Sequence, residues 1–252
     1  MGRLDGKAAI VTGAGQGIGR GIALVLAREG AAVAVVDVNP DTATSTAKEI
    51  EGHGGRAIAA ACDVGVRAQA DAAIAAAAKA FGTIDILVND AQRIIGEINV
   101  EDMTDEVVQQ SMQSGFMGTF YFMQGCFPYM KNRGGKIVNV GSAAGTEGMA
   151  RWAAYAATKE AIRAITRVAA KEWGRYRINV NAICPASMTP AIEIWMKTNP
   201  GDFNASLARI PLSRYGDPEK DIAPVVLALV SPDFDYVTGQ TIMVDGGAAM
   251  LR

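Results

Sequence analysis

The string "YAATK" places Tyr155 and Lys159 four residues apart, and therefore on one face of a helix. A lysine ammonium beside a phenol favours the phenolate and draws its pKa down from ~10 toward a range useful for proton transfer. Ser142 lies thirteen residues before the tyrosine, at the C-terminal end of the apolar run "KIVNVGS". That edge is where ligands meet an open parallel sheet, which sharpens the Tyr155–Lys159 pair into a candidate site. A second constellation reads as a nucleotide cradle. In "TGAGQGIGR" (12–20), Gly13, Gly17 and Gly19 follow a G-x-x-x-G-x-G spacing, with Gln16 and Ile18 between them. Backbone without side chains lets a pyrophosphate reach the amides at a helix N-terminus. Asp37 stands 18 residues after Gly19, at the end of the second apolar run. A carboxylate there accepts from ribose 2′- and 3′-hydroxyls and repels a 2′-phosphate, and the neutral Gln16 offers that phosphate no charge. The expected cofactor is NAD.

These residues need strands to present them and helices to carry them. Seven short apolar runs read as strands: 7–12, 32–37, 56–63, 83–89, 135–141, 178–184 and 240–245. Longer helical patterns lie between them, among them 68–81 and 155–174. Such alternation predicts an α/β fold: a Rossmann-like, doubly wound parallel sheet of about seven strands with helices on both faces. Near-continuous apolar strands agree, because a parallel sheet is buried on both sides. The alternation runs nearly end to end, so residues 1–252 read as one dinucleotide-binding and catalytic domain. Residues 185–218 break the pattern with five prolines, and the stretch of about 186–218 reads as an irregular substrate lid. A further stretch, 107–125, has the apolar residues of a helix but carries Gly115 and Gly118 near its middle.

Composition narrows the partners. The net charge of −2 and the absence of a basic cluster argue against a nucleic-acid backbone. No apolar run approaches the ~18 residues of a membrane span. The N-terminus lacks a signal-peptide core, which predicts a cytoplasmic protein. Cys62, Cys126 and Cys184 are scattered and read as buried free thiols, while the single histidine, His53, leaves nothing for a multi-histidine metal centre. No metal is expected.

Taken in order and spacing, these features resemble the short-chain dehydrogenase/reductase family over essentially the whole chain. The matching residues are Thr12, Gly13, Gly17 and Gly19; Asp63 and Val64; Asn89 and Ala91 in "VNDAQ"; Ser142, Tyr155 and Lys159; and "PASMT" (185–189). The resemblance implies NAD(P) chemistry and a homotetramer or homodimer. It makes Tyr155 the acid/base, Lys159 its electrostatic partner and ribose ligand, and Ser142 the donor to the substrate oxygen. It places Asp63 and Val64 at the adenine and Asn89 with Ala91 along the adenosine, and it lets Pro185 and Thr189 position the nicotinamide. Three departures stand out: Asp90 and Gln92 replace the usual Asn and Gly, Ala186 replaces Gly, and Gly115 occupies the position of a catalytic asparagine. In the family that asparagine sits at a helix kink, where its backbone carbonyl holds a water in a proton relay with the lysine. A glycine keeps the carbonyl and tolerates the kink.

Apolar residues flank the expected site: Ile94, Met149 and Trp152 on one side, Met188, Ile192 and Trp195 in the lid. Together they predict a pocket for a medium-sized apolar, cyclic or aromatic substrate, with a secondary alcohol and a ketone interconverted. Two alternatives stay open. One is NAD(P)H-dependent reduction of acyl-thioester or steroid-like ketones. The other is a catalytically impaired NAD-binding scaffold or regulator, on account of Gly115.

Overall fold

Side chains at successive strand positions point to opposite faces, and the first strand shows both faces buried. In the computed structural model, which describes residues 2–251, β1 (Ala8–Thr12) sends Ala9 and Val11 into one apolar layer and Ile10 into the other. The chain then runs through α1 (Gly17–Arg28), β2 (Ala32–Asp37), α2 (Pro40–Gly52), β3 (Arg56–Ala61), α3 (Arg67–Phe81) and β4 (Ile86–Asn89). Next come α4 (Asp105–Met112) and α5 (Gly118–Met130), joined without a break by a wider turn over Gln113–Met117. The second half holds β5 (Gly135–Val140), α6 (Ala143–Glu147), α7 (Ala153–Trp173) and β6 (Ile178–Pro185). It closes with α8 (Pro190–Thr198), α9 (Pro200–Leu207), α10 (Ala223–Val230) and β7 (Thr241–Val244).

All seven strands pair in parallel in the order β3-β2-β1-β4-β5-β6-β7, as the alternation predicts. One face packs on α1, α2 and α10 through Ile22, Leu26, Ile50, Val226 and their neighbours. The other packs on α3, α5 and α7 through Ile74, Phe122, Met123 and Ala169. The three cysteines are buried and unbridged, as expected.

Because β1 lies between β2 and β4, the connections leave it in opposite directions. That topological switch opens a crevice beyond the carboxyl ends of the strands. Thr12 spans it: its Oγ1 accepts from the amides of Asp90 at 3.1 Å and Ala91 at 3.2 Å, tying the end of β1 to the loop after β4.

Two local expectations need revision. The segment 185–218 is not irregular, because α8 and α9 form within it. Pro190 and Pro200 each occupy a first-turn position, where a missing N–H costs nothing and a fixed φ favours the helix. Thr189 caps α8 by accepting from the Ile192 amide at 3.4 Å. Prolines that read as breakers in the sequence are helix starters here. The glycine-bearing stretch is helical as expected, but at Gln113–Met117 the helix widens to an i→i+5 turn, with the Gly118 N–H reaching back to the Gln113 carbonyl.

Candidate active site

A cavity of about 640 Å³ lies along the carboxyl ends of the strands. Its walls are the loops that follow β1 through β6, together with the first turns of α7 and α8. The glycine loop brings Gly13, Gln16, Gly17 and Ile18; β2 ends at Asp37; the turn after β3 brings Asp63 and Val64. Ala91 and Ile94 come from the loop after β4, and Pro185 and Thr189 from beyond β6. Ser142, Tyr155 and Lys159 complete the wall.

The glycine loop has little room for side chains. Gly13 has φ +68°, and a Cβ on it would lie 3.0 Å from the backbone of Ala91. One on Gly19 would come within 2.3 Å of the Gly13 carbonyl oxygen. α1 begins with no side-chain cap and no acidic residue in its first turn; Asp90 from the loop after β4 approaches the Gly19 amide, while Gly17 and Ile18 line the cavity. This cradle fits a pyrophosphate. Asp37 is held rigidly beside it, with Oδ2 accepting from the Gly15 amide at 2.9 Å and Oδ1 from Asn39 at 3.0 Å. Arg20, the nearest cation in the sequence, is engaged elsewhere by Glu49 and Glu219. Asp63 Oδ1 accepts from the Gly65 amide at 2.9 Å, shaping the turn that presents Val64.

Ser142 caps α6 by accepting from the Ala144 amide at 3.1 Å, which leaves its hydroxyl proton to donate toward Tyr155, whose ionised form it favours. Tyr155 and Lys159 share one face of α7. Lys159 is buried, and its Nζ donates to the Val140 carbonyl at 2.7 Å while lying 5.5 Å from the Tyr155 ring centre. Trp152 stacks edge-on against the same ring at 5.6 Å.

Burial sets the ionisation of this group. Tyr155 is pushed up to about 12 by burial, against the opposing hydrogen bond from Ser142. Lys159 is pulled down to about 8, again by burial, with Asp90 opposing. The lowering of Tyr155 expected from the sequence is therefore not found in the free protein. On raising the pH, Lys159 loses its proton before Tyr155 does, so the ammonium is gone when the phenolate would need it.

Asp90 is a buried acid in the cavity wall, and burial raises it to about 6 despite Lys159 nearby and a hydrogen bond from the Gly19 amide. Its value outside the fold is 3.8. Between those two values folding takes up a proton, so the residue's contribution to stability falls as pH rises from about 4 to about 6. The variant Asp90→Asn has no such loss. Urea unfolding of both proteins should show the variant's stability, relative to wild type, growing by about 3 kcal/mol across that window and staying level above it.

Some sequence candidates lie elsewhere. Asn89 is not in the cavity wall: its Nδ2 donates to Asn139 Oδ1 at 2.8 Å, and Asn139 in turn donates to Thr166 at 2.9 Å. The side chain joins β4 to β5 and, through Asn139, to α7 inside the fold. Met149, Trp152, Met188, Ile192 and Trp195 are also absent from the wall, leaving Ile94 as the apolar flank residue that lines it. Trp195 packs on Phe203, tying α8 to α9, and Met149 is exposed. Gly115 is buried in the widened turn behind the wall. Conversely, Val38, Asp90, Gln92, Gln113 and Ser114 line the cavity without having been singled out as site residues. Each follows a strand end or sits in the glycine-bearing turn, so the rule that ligands meet the carboxyl ends of strands would have found most of them.

Comparison with known proteins follows this geometry. A family model described as enoyl-(acyl carrier protein) reductase matches residues 13–249. A 12α-hydroxysteroid dehydrogenase from Clostridium sp. is 42% identical over 167 residues, which cover 66% of this chain and 64% of that protein. An NAD-dependent glycerol dehydrogenase from Listeria innocua is 36% identical over 171 residues, covering 67% of this chain and 66% of the other. The chain thus spans just under two thirds of the length of these curated relatives. Among solved structures, a 7α-hydroxysteroid dehydrogenase complexed with NADH and 7-oxo glycochenodeoxycholic acid superimposes with a TM-score of 0.92 at 36% identity. That match covers 97% of this chain and 95% of the other.

Proposed function

The chain belongs to the short-chain dehydrogenase/reductase family, and from that premise we propose that it is an NAD-dependent oxidoreductase interconverting a secondary alcohol and a ketone. The observation that carries this reading is the meeting of Ser142, Tyr155 and Lys159 in the same cavity as the glycine loop and Asp37. NAD, when bound, supplies the acceptor or donor of hydride. Gly13, Gly17 and Gly19 would admit its pyrophosphate, Asp37 its adenosine ribose, and Pro185 with Thr189 its nicotinamide end.

The chain's own groups handle the proton. Ser142 donates to the substrate oxygen and holds it against Tyr155, which takes the hydroxyl proton in oxidation and returns it in reduction. Lys159 supplies positive charge beside the phenol, and a cationic nicotinamide acts in the same direction. A bound cationic nicotinamide would add to the Lys159 charge and favour a phenolate that the free protein resists.

The substrate reading is a medium-sized apolar ring system. Two hydroxysteroid dehydrogenases among the similar proteins support it, and so do Ile94 and the Pro190–Ala191 start of α8 in the cavity wall. Among the described residues no helix is long and apolar enough to cross a membrane. A cytoplasmic homotetramer, with the lid within a single domain, completes the proposal.

The test is NADH formation with a panel of secondary alcohols, including hydroxysteroids, and the same panel with NADP⁺. Turnover with NAD⁺ on ring alcohols is expected. Tight NADH binding with no turnover on any alcohol or ketone would overturn the enzyme reading in favour of a cofactor-binding scaffold.

A further inference from the structure

Two departures from the family pattern, Gln92 and Gly115, meet in the fold. A Cβ placed on Gly115 would lie 2.9 Å from Cδ and 3.0 Å from Nε2 of Gln92, and 2.4 Å from Cγ2 of Thr158. Thr158 has little freedom to retreat. It is fully buried, with its Oγ1 3.0 Å from Ser111 Oγ and donating to the Ala154 carbonyl at 2.8 Å. The space that an asparagine at 115 would need is therefore filled by the Thr158 methyl group and the Gln92 carboxamide.

That carboxamide is unusual in its own right. Nε2 and Oε1 are both buried, and neither has a hydrogen-bond partner in the protein. Buried amides are almost always satisfied, so a pair of orphaned atoms calls for a small polar occupant beside them. Gln92 also lines the cavity that holds Ser142, Tyr155 and Lys159.

We propose that Gln92 is a positioning residue whose carboxamide holds a water against the backbone of the Gln113–Met117 turn, in the cavity that Lys159 also lines. The inference rests on the oxidoreductase reading. The backbone carbonyls stay with the turn, and the Gln92 carboxamide from the loop after β4 adds a second hold on the water. In alcohol oxidation Tyr155 takes the substrate's hydroxyl proton. As a proton moves from the Tyr155 side to Lys159, Lys159 gives one to the held water, which releases one to solvent. Every group recovers its starting charge.

A crystal structure of the ligand-free wild type gives the first readout. It should show a water within hydrogen-bond distance of the Gln92 carboxamide and of a carbonyl in residues 113–117; a dry carboxamide there would overturn the proposal. This readout does not depend on turnover, so a wild type inactive on every substrate would defeat the oxidoreductase reading separately. Gln92→Met then keeps the volume and removes both polar atoms. It should lower kcat by about tenfold or more, leave KM and NADH affinity within about twofold, and move the kcat–pH profile by about one unit. An unchanged kcat and pH profile would again overturn it.

Discussion

Tyr155→Phe is expected to lower kcat by about three orders of magnitude while leaving NADH affinity within a factor of about three. The phenyl ring keeps its packing against Trp152 and its place on α7, so the variant tests the hydroxyl alone. What is lost is the group that takes the substrate proton, together with its hydrogen bond from Ser142. Stopped-flow binding of NADH and steady-state turnover on one good alcohol separate the two effects. Retained turnover would mean that the proton travels by another route, and the assignment of Tyr155 would fall. The ionisation of the free protein makes the result more informative. With Tyr155 held at about 12 and Lys159 at about 8, little phenolate exists near neutral pH until another positive charge enters the cavity. The wild-type pH profile of kcat should therefore lie well below the tyrosine's free-protein value, and the profile of Tyr155→Phe should be flat.

Asp37→Ala is expected to reduce the preference for NAD over NADP, expressed as a ratio of kcat/KM values, by about a hundredfold. The carboxylate favours one cofactor by accepting from ribose hydroxyls, and it disfavours the other by repelling a phosphate; alanine removes both effects. It also removes the acceptor for the Gly15 and Asn39 amides, so the glycine loop loosens and KM for NAD should rise even apart from the lost ribose contact. Asp37→Asn removes the charge but keeps one neutral acceptor, so one of the Gly15 and Asn39 amides stays held and the loop loosens less than in Asp37→Ala. An unaltered cofactor ratio in both variants would show that selectivity resides elsewhere.

The sheet was legible because its strands obey simple local rules. Each is a short apolar run bounded by turn residues, and the observed ends fall within three residues of the expected ones. The glycine loop and the Tyr155–Lys159 spacing were legible for the same reason, since both are set by neighbours in sequence. What the sequence hid is tertiary. Asn89 looks like a cofactor ligand from its place at a strand end, and only the arrival of Asn139 from β5 turns its side chain into an internal tie. The lid's helices were hidden by their prolines, whose effect depends on whether they begin a turn or interrupt one. The ionisation of Tyr155 was misjudged because a spacing rule carries charge but not burial, and burial outweighs charge here. Gly115 is expected from the sequence to keep a carbonyl and a kink, but the approach of the Gln92 side chain is tertiary and has no local signal.

The tie between Thr12 and the Asp90 and Ala91 amides has a kinetic consequence. Its partners lie 78 and 79 positions apart in the chain. No strand pair in this sheet is a hairpin, and β1 meets β4 only after two other strands and three helices have been made. Closing so long a loop must precede the contacts that reward it, which slows folding relative to folds built from local pairs. The glycine loop, although encoded near the N-terminus, has one wall until β4 docks. Affinity for the nucleotide is thus acquired late on the folding route, as a property of the joined halves and not of the first strand and helix alone.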